Sequence, residues 1–124
     1  MTAVVDVVAT DEFVAWLNEL DDTDAEAVED AVGVLEAVGV GLGSPRSSDI
    51  KGSKYAMREL RVQSKGRPLR PLYVFDPKRQ AVLLLGGDKQ GDDRFYEVMI
   101  PRAEKIYEQY LDEQRRGLHD AKKE

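Results

Sequence analysis

Three short segments with the pattern of strands, separated by turns of only a few residues, constrain the fold of this chain more than any other feature. They cover about residues 55–63, 69–75 and 81–86. The sequences between them, Lys65-Gly66 and Asp76-Pro77-Lys78-Arg79, contain the residues that tight turns favour. Connections this short join antiparallel neighbours. The sequence therefore predicts a small antiparallel sheet in the middle of the chain.

The part of the chain before this sheet has mostly helical periodicity. After a first strand at residues 3–9, Thr10 is expected to cap one helix and Thr23 a second helix. Together the two helices predict a helical hairpin with an acidic outer surface. Residues 39–49, which are rich in glycine and serine, are expected to form a loop.

Helical periodicity returns after the predicted sheet. One helical segment is expected at residues 92–97, and Pro101 suits the first turn of a further, C-terminal helix. We expect a single domain at residues 1–114 and a charged, disordered tail at residues 115–124. The order β-α-α-β-β-β-α predicts an α+β domain with helices packed on one side of the antiparallel sheet.

Composition excludes several classes of site. The chain has no cysteine, and His119, its one histidine, lies in the polar tail. Disulfides, thiolate metal sites and histidine-based catalysis are therefore not expected, and neither a metal nor a cofactor is predicted. No apolar run approaches the roughly 20 residues that a membrane span needs, and residues 1–10 do not resemble a signal peptide. We expect a soluble cytoplasmic protein.

Charge is distributed very unevenly along the chain. Residues 1–44 carry eleven acidic side chains and no lysine or arginine, whereas residues 45–94 carry twelve basic and six acidic side chains. A basic middle segment is thus part of a protein with a formal net charge of −6. Its local field favours phosphate groups or an acidic partner, whatever the total charge.

The predicted turns place three cations on one face of the sheet. A two-residue turn at Lys65-Gly66 sets Arg61 opposite Arg70, and directly opposed residues share a face. Pairing of Phe75 with Gln80 at the next turn then sets Arg70 beside Leu85. Continuing with a period of two from Leu85 brings Lys89 to the same face.

This arrangement predicts an anion site, because opposed like charges cost up to about 1 kcal/mol in a sheet. A simpler alternative remains open. Arginines on strands are commonly solvated or paired with carboxylates, and Glu59 and Asp76 are available as partners.

The basic segment and the residues directly after it contain an ordered series of short sequences. They are AMRELR at residues 56–61, GRPLRPLYVF at 66–75, GGDK at 86–89 and RFYE at 94–97. In this order they resemble the RelE/HigB superfamily, the toxin components of bacterial type II toxin–antitoxin systems. The resemblance covers about residues 50–111, and the predicted helical hairpin lies where the family has one. It implies a RelE-like fold, with a small antiparallel sheet, an N-terminal helical hairpin and a C-terminal helix.

The resemblance also implies an activity and a site. Such toxins are ribosome-dependent endoribonucleases, or mRNA interferases, that use no metal or cofactor. The catalytic positions of the family correspond to Arg61, Arg70, Lys89 and Tyr96. Further arginines that could contact RNA are Arg58, Arg67 and Arg94. The implied partners are mRNA on the ribosome and a cognate antitoxin, expected to be a helix-turn-helix protein.

Elementary chemistry fits these residue types to RNA cleavage by the RNA's own 2′-hydroxyl. The planar guanidinium of Arg70 suits the charge of the phosphorane transition state and could supply a proton, while Arg61 would clamp a phosphate. Lys89 or Tyr96 is the candidate base, on the expectation that clustered cations lower the pKa of either group. Tyr96 could instead stack on a nucleobase.

Two departures from the family keep other functions open. Glu59 occupies a neighbourhood where several members have lysine or histidine, and the chain is acidic whereas the nuclease members are mostly basic. One alternative is a binding protein of the same fold that inhibits DNA gyrase without cutting a phosphodiester. Another is a decayed toxin that only binds its antitoxin.

Overall fold

The computed structural model describes residues 3–117, which form three helices and six strands. The strands are β1 (Val7–Ala9), β2 (Ser47–Asp49), β3 (Arg58–Leu60), β4 (Val62–Ser64), β5 (Arg67–Phe75) and β6 (Ala81–Asp88). The helices are α1 (Asp11–Glu19), α2 (Asp22–Val38) and α3 (Phe95–Arg115), with a short 3-10 helix at Gly39–Gly41. The predicted α+β class is confirmed, including the helical hairpin and the C-terminal helix.

All six strands belong to one sheet. Its order is β1-β6-β5-β3-β2, and β4 pairs with β5 beyond the end of β3. The three central strands form the antiparallel unit that the turns predict. β1 lies at the edge and runs parallel to β6, so the sheet is antiparallel except at this one pairing. β1 is also shorter than expected, because the amides of Val4 and Val5 bond to the carbonyl of Glu36 instead of to the sheet.

Helices cover both faces of the sheet, so the prediction that they pack on one side is wrong. On one face Leu72, Val74 and Leu84 pack against α3. On the other face Tyr73 and Leu83 pack against α1 and α2. Successive side chains of a strand point to opposite faces, and the long apolar runs of β5 and β6 supply both cores.

The helix boundaries differ from the prediction at two points. Thr10 caps α1 as expected, its Oγ1 accepting the Phe13 amide at 3.1 Å. The cap of α2, however, is Asp21 and not Thr23, since the Asp21 carboxylate accepts the Asp24 amide at 2.9 Å. In addition, α3 is one continuous helix with Pro101 inside it. A proline here removes one backbone hydrogen bond, which the extensive packing of α3 tolerates.

The segment predicted as a loop at residues 39–49 contains β2. Its polar sequence, Ser47–Asp49, gives no apolar alternation. Tertiary contacts hold it instead, because β2 pairs with β3 and the Ser47 hydroxyl lies 2.5 Å from the Tyr73 hydroxyl.

The expected tail at residues 115–124 falls largely outside the described residues, as does His119. Where the description ends, Arg115 still belongs to α3. None of the helices within residues 3–117 combines the length and apolar composition that a membrane crossing requires.

Candidate active site

The turn between β4 and β5 sets the register that the site depends on. Lys65 and Gly66 both have positive φ, 52° and 79°, as a two-residue hairpin turn of the primed type requires. The pairs Val62–Leu69 and Arg58–Tyr73 keep one register across β4 and β3. That register places Arg61 opposite Arg70, as predicted.

The predicted register of β5 with β6 is wrong, although Lys89 still lies on the predicted face of the sheet. Phe75 pairs with Ala81, because the Asp76 carboxylate accepts two amides of a longer turn. An irregularity between Leu72 and Tyr73 then shifts the pairing by one more residue, so that Arg70 pairs with Gly87 and not with Leu85. Because side chains alternate between the two faces of a sheet, the two one-residue shifts in pairing cancel, and Gly87 lies on the face predicted for Leu85. Lys89, two residues beyond Gly87, therefore still emerges on the side of Arg70.

Glu59 is the centre of the site. It lies on β3 opposite Leu72, on the face that α3 covers, and is 4% exposed. Its two carboxylate oxygens lie 2.7 and 2.9 Å from the Tyr96 hydroxyl, which donates to them. Ser48 donates a further hydrogen bond to Oε2 at 3.0 Å, and Arg70 Nε lies 3.8 Å from Oε1. The sequence alone treats Glu59 as a departure from the family, whereas the structure surrounds it with the predicted site residues.

Arg70 is a buried cation with an unused donor. Its residue surface is 5% exposed, and its Nη1 donates to the backbone carbonyl of Leu69 at 3.1 Å. Its Nε is buried without a hydrogen-bond partner in the described structure. A buried guanidinium needs a nearby negative charge, and Glu59 provides it. The alternative of arginine–carboxylate pairing is thus correct for Arg70, but the pair lies inside the site.

Tyr96 does not have the low pKa that clustered cations were expected to give it. Burial, followed by the hydrogen bond to Glu59 and the charge of Glu59, raises the pKa of Tyr96 to about 12. The charge of Arg70 acts in the opposite direction but does not prevail. Tyr96 is therefore protonated at neutral pH, and its hydroxyl donates hydrogen bonds to Glu59.

Arg61 and Lys89 lie around this buried centre. A groove of about 430 Å³ is lined by seven side chains: Ser48, Asp49, Ile50, Lys51, Glu59, Arg61 and Tyr96. Arg61 is exposed at its rim. The Lys89 ammonium lies 4.9 Å from the centre of the Tyr96 ring, within range of a cation–π interaction. Of the four predicted catalytic residues, Arg70 and Tyr96 thus contact Glu59, Arg61 lines the same groove, and Lys89 lies against the Tyr96 ring.

The predicted RNA-contacting arginines lie elsewhere or are already paired. Arg58 faces the helical hairpin, where it binds Asp49 and the Ser47 hydroxyl. Its position opposite Tyr73 explains this, because paired residues share a face. Arg67 forms ion pairs with Asp24 and Asp88, and Arg94 forms an ion pair with Glu97 at 2.8 Å. The structure therefore does not bring Arg58 or Arg67 to the groove, and Arg94 forms an exposed pair on α3.

Glu59 was detectable from the sequence, whereas Ser48 was not. The register that sets Arg61 opposite Arg70 also puts Glu59 on their face, two residues before Arg61. Ser48 belongs to a strand without an apolar pattern. Within residues 3–117 no three histidine or acidic side chains come close enough to hold a metal ion.

Comparison with known proteins identifies the family of the chain. Residues 15–108 match the family described as "Phage derived protein Gp49-like (DUF891)". Two Mycobacterium tuberculosis (strain H37Rv) proteins named as candidate toxins, HigB2 and HigB3, are 41% and 40% identical over 78% and 77% of this chain. The matched part spans 50% of HigB2, about half its length, and 84% of HigB3.

A solved structure shows the same fold at low identity. A free-state double arginine-to-alanine mutant of the Escherichia coli toxin RelE superposes with a TM-score of 0.54 and 13% identity. The match covers 80% of this chain and 96% of that chain. The family match, the two relatives and the shared architecture lead to one conclusion: the chain belongs to the Gp49-like family of RelE/HigB-like toxins.

Proposed function

We propose that this toxin is a metal-independent endoribonuclease that cuts mRNA on the ribosome. The observation that carries the proposal is the buried Glu59 carboxylate, which lies beside the Arg70 guanidinium at the floor of an open groove. A carboxylate with a neighbouring fixed cation is what proton abstraction next to a phosphate requires. Membership of a toxin family supports the same activity.

The reaction follows from the positions of the groups. Glu59 takes the proton of the RNA 2′-hydroxyl, and the resulting oxygen attacks the adjacent phosphorus. The bond from phosphorus to the 5′-oxygen breaks, and that oxygen takes a proton from the Lys89 ammonium. The products are a 2′,3′-cyclic phosphate and a 5′-hydroxyl. Arg70, with its unused Nε donor, neutralises the charge that develops on the phosphorane.

Tyr96 has two roles in this scheme. In the free protein its hydroxyl donates a hydrogen bond to the Glu59 carboxylate. The 2′-hydroxyl of a bound RNA replaces the Tyr96 hydroxyl at that position. The displaced phenol ring then stacks on a nucleobase, as aromatic residues do in single-stranded RNA recognition. Exposed Arg61 holds a flanking phosphate.

The partners are proposed on the same basis. Toxins of this kind are held inactive by a cognate antitoxin, and we expect a helix-turn-helix protein in that role. We expect the ribosome to supply the aligned mRNA in the cytoplasm. The acidic helices oppose the approach to RNA only weakly, because physiological salt screens charges beyond about 8 Å.

Mapping of transcript ends after induction tests the proposal. We expect 5′ ends within translated frames for the wild type and for Lys78→Ala, whose exposed side chain lies in the β5–β6 turn. We expect none for Glu59→Gln, which keeps the shape of the side chain but cannot accept the proton. Circular dichroism checks that each variant is folded.

Two results would overturn the proposal. Unchanged cutting by Glu59→Gln would remove the proposed base. Toxicity with intact transcripts and relaxed plasmid DNA would instead favour inhibition of DNA gyrase.

A further inference from the structure

Ser48 is placed directly against the proposed base by strand pairing. It lies on β2 in register with Glu59 on β3, and its hydroxyl donates to Glu59 Oε2 at 3.0 Å. β2 itself is fixed by other groups, because Ser47 binds the Tyr73 hydroxyl and Asp49 binds Arg58. The Ser48 hydroxyl is therefore not needed to attach the strand.

The contacts of Glu59 show what this hydroxyl does. Tyr96 bonds to both carboxylate oxygens in the free protein, at 2.7 and 2.9 Å. Arg70 Nε is 3.8 Å away, an ion-pair distance but too long for a hydrogen bond. Among the described residues, Ser48 is the side chain that still donates a hydrogen bond to the carboxylate once RNA displaces Tyr96.

We propose that Ser48 is a positioning residue that holds Glu59 Oε2, so that Oε1 faces Arg70 and receives the 2′-hydroxyl proton. This inference rests on the proposed ribonuclease activity. A glutamate side chain has three rotatable bonds, and a proton acceptor works only within a narrow range of distance and angle. Strand pairing delivers the Ser48 hydroxyl to one oxygen only, which selects the other oxygen for chemistry.

The charged surroundings of Glu59 do not replace this bond. Arg70 from β5 and Lys89 after β6 supply positive charge, while Arg61 and Lys51 lie at the rim of the groove. These groups, all within the described residues, supply positive charge near the carboxylate but donate no hydrogen bond to it. The orientation of the carboxylate therefore depends on Ser48 after Tyr96 has left.

The test is single-turnover cleavage of mRNA on programmed ribosomes by purified full-length toxin, with binding measured separately. We expect Ser48→Ala to lower the cleavage rate roughly 10- to 100-fold without weakening binding, since a hydrogen bond to a charged group is worth about 1.5–3 kcal/mol. Ser48→Thr keeps a hydroxyl and should restore most of the rate. Ser53→Ala is the matched control, because Ser53 donates a similar bond to Glu104 at 2.8 Å outside the groove.

The outcomes separate this inference from the proposed function. A slow Ser48→Ala with an active Ser48→Thr supports it. An unchanged rate in Ser48→Ala overturns it, as does an equal loss in both Ser48 variants or in Ser53→Ala. A wild-type protein that leaves bound mRNA intact overturns the proposed function itself and this inference with it.

Discussion

At the scale of single residues, the site is built on a buried charge pair. Glu59 and Arg70 are 4% and 5% exposed, and each lies near the other's charge. Removing ions from water is costly, and a nearby opposite charge offsets that cost only while both partners are present. The two residues are therefore important for stability as well as for the proposed chemistry, which limits the substitutions that can test that chemistry.

Arg70→Ala should destabilise the protein by about 3–5 kcal/mol, because it leaves the buried Glu59 carboxylate without its cation. Urea unfolding followed by circular dichroism measures the effect. The exposed Arg61→Ala variant should stay within about 0.5 kcal/mol of the wild type. Equal stability of the two variants would show that the pair contributes nothing to the fold. Loss of activity in Arg70→Ala alone is thus a poor test of catalysis.

The raised pKa of Tyr96 predicts how stability depends on pH. Between pH 10, the ordinary value, and about 12, the unfolded chain loses this proton while the folded chain keeps it. Ionisation in this pH range favours the unfolded state. The contribution of Tyr96 to the free energy of unfolding is therefore complete below pH 10 and is lost as pH rises through 12. Tyr96→Phe should show a shallower loss of stability over this range in urea titrations. Identical pH profiles of the wild type and Tyr96→Phe would contradict the assignment.

At the scale of elements, close approach of helices to the sheet depends on Gly86 and Gly87. A Cβ atom on Gly86 would lie 2.3 Å from Trp16 of α1, and one on Gly87 would lie 2.8 Å from Phe95 of α3. The pair Gly86-Gly87 thus lets helices press against opposite faces of β6 at one point. Because glycine has no Cβ atom, both positions leave space for an aromatic ring that any other residue would partly fill.

Gly86→Ala should therefore cost about 1–3 kcal/mol of unfolding free energy by overpacking against Trp16. The matched control is Gly33→Ala in α2, where an added Cβ meets nothing within 4 Å. That change should stabilise the helix by about 0.5–1 kcal/mol. Denaturant unfolding of the two variants should show shifts of opposite sign, and shifts of the same sign would contradict this account.

Local sequence determined some elements better than others. The Lys65-Gly66 turn fixes its own register, so the position of Arg61 opposite Arg70 was predictable. Pro71 inside β5 marks a place where strand pairing can become irregular, but it does not determine the size or direction of the register shift after Leu72. β2 was missed because tertiary hydrogen bonds hold its serines. The cluster of basic residues was thus predictable from local sequence, whereas the hydrogen bond from Ser48 that orients Glu59 was not.

At the scale of the whole molecule, charge is separated in space as it is along the chain. The two N-terminal helices carry acidic side chains without a lysine or arginine, and the groove on the other side of the sheet has Arg61 and Lys51 at its rim. RNA should therefore approach by the groove side. Three basic residues are exceptions: Lys65 and Arg67 pair with Asp21 and Asp24 of the helical hairpin, and Arg58 faces the hairpin from β3.

The salt dependence of RNA binding tests whether RNA contacts the groove side. Each phosphate contact contributes about 0.7 to the slope of log binding constant against log salt for single-stranded nucleic acid. Arg61→Ala should weaken binding of an RNA oligonucleotide in fluorescence anisotropy and reduce the slope by about that amount. Lys78→Ala should change neither quantity. A slope unaffected by Arg61→Ala would remove the proposed phosphate contact.

The length of α3 offers a practical route to observing this protein at work. The helix runs from Phe95, beside the groove, to Arg115, and 21 helical residues span roughly 31 Å. Since the chain has no cysteine, one introduced near the far end of α3 would be its single reactive thiol. A dye attached there would report docking on a large particle from a position well away from the chemistry.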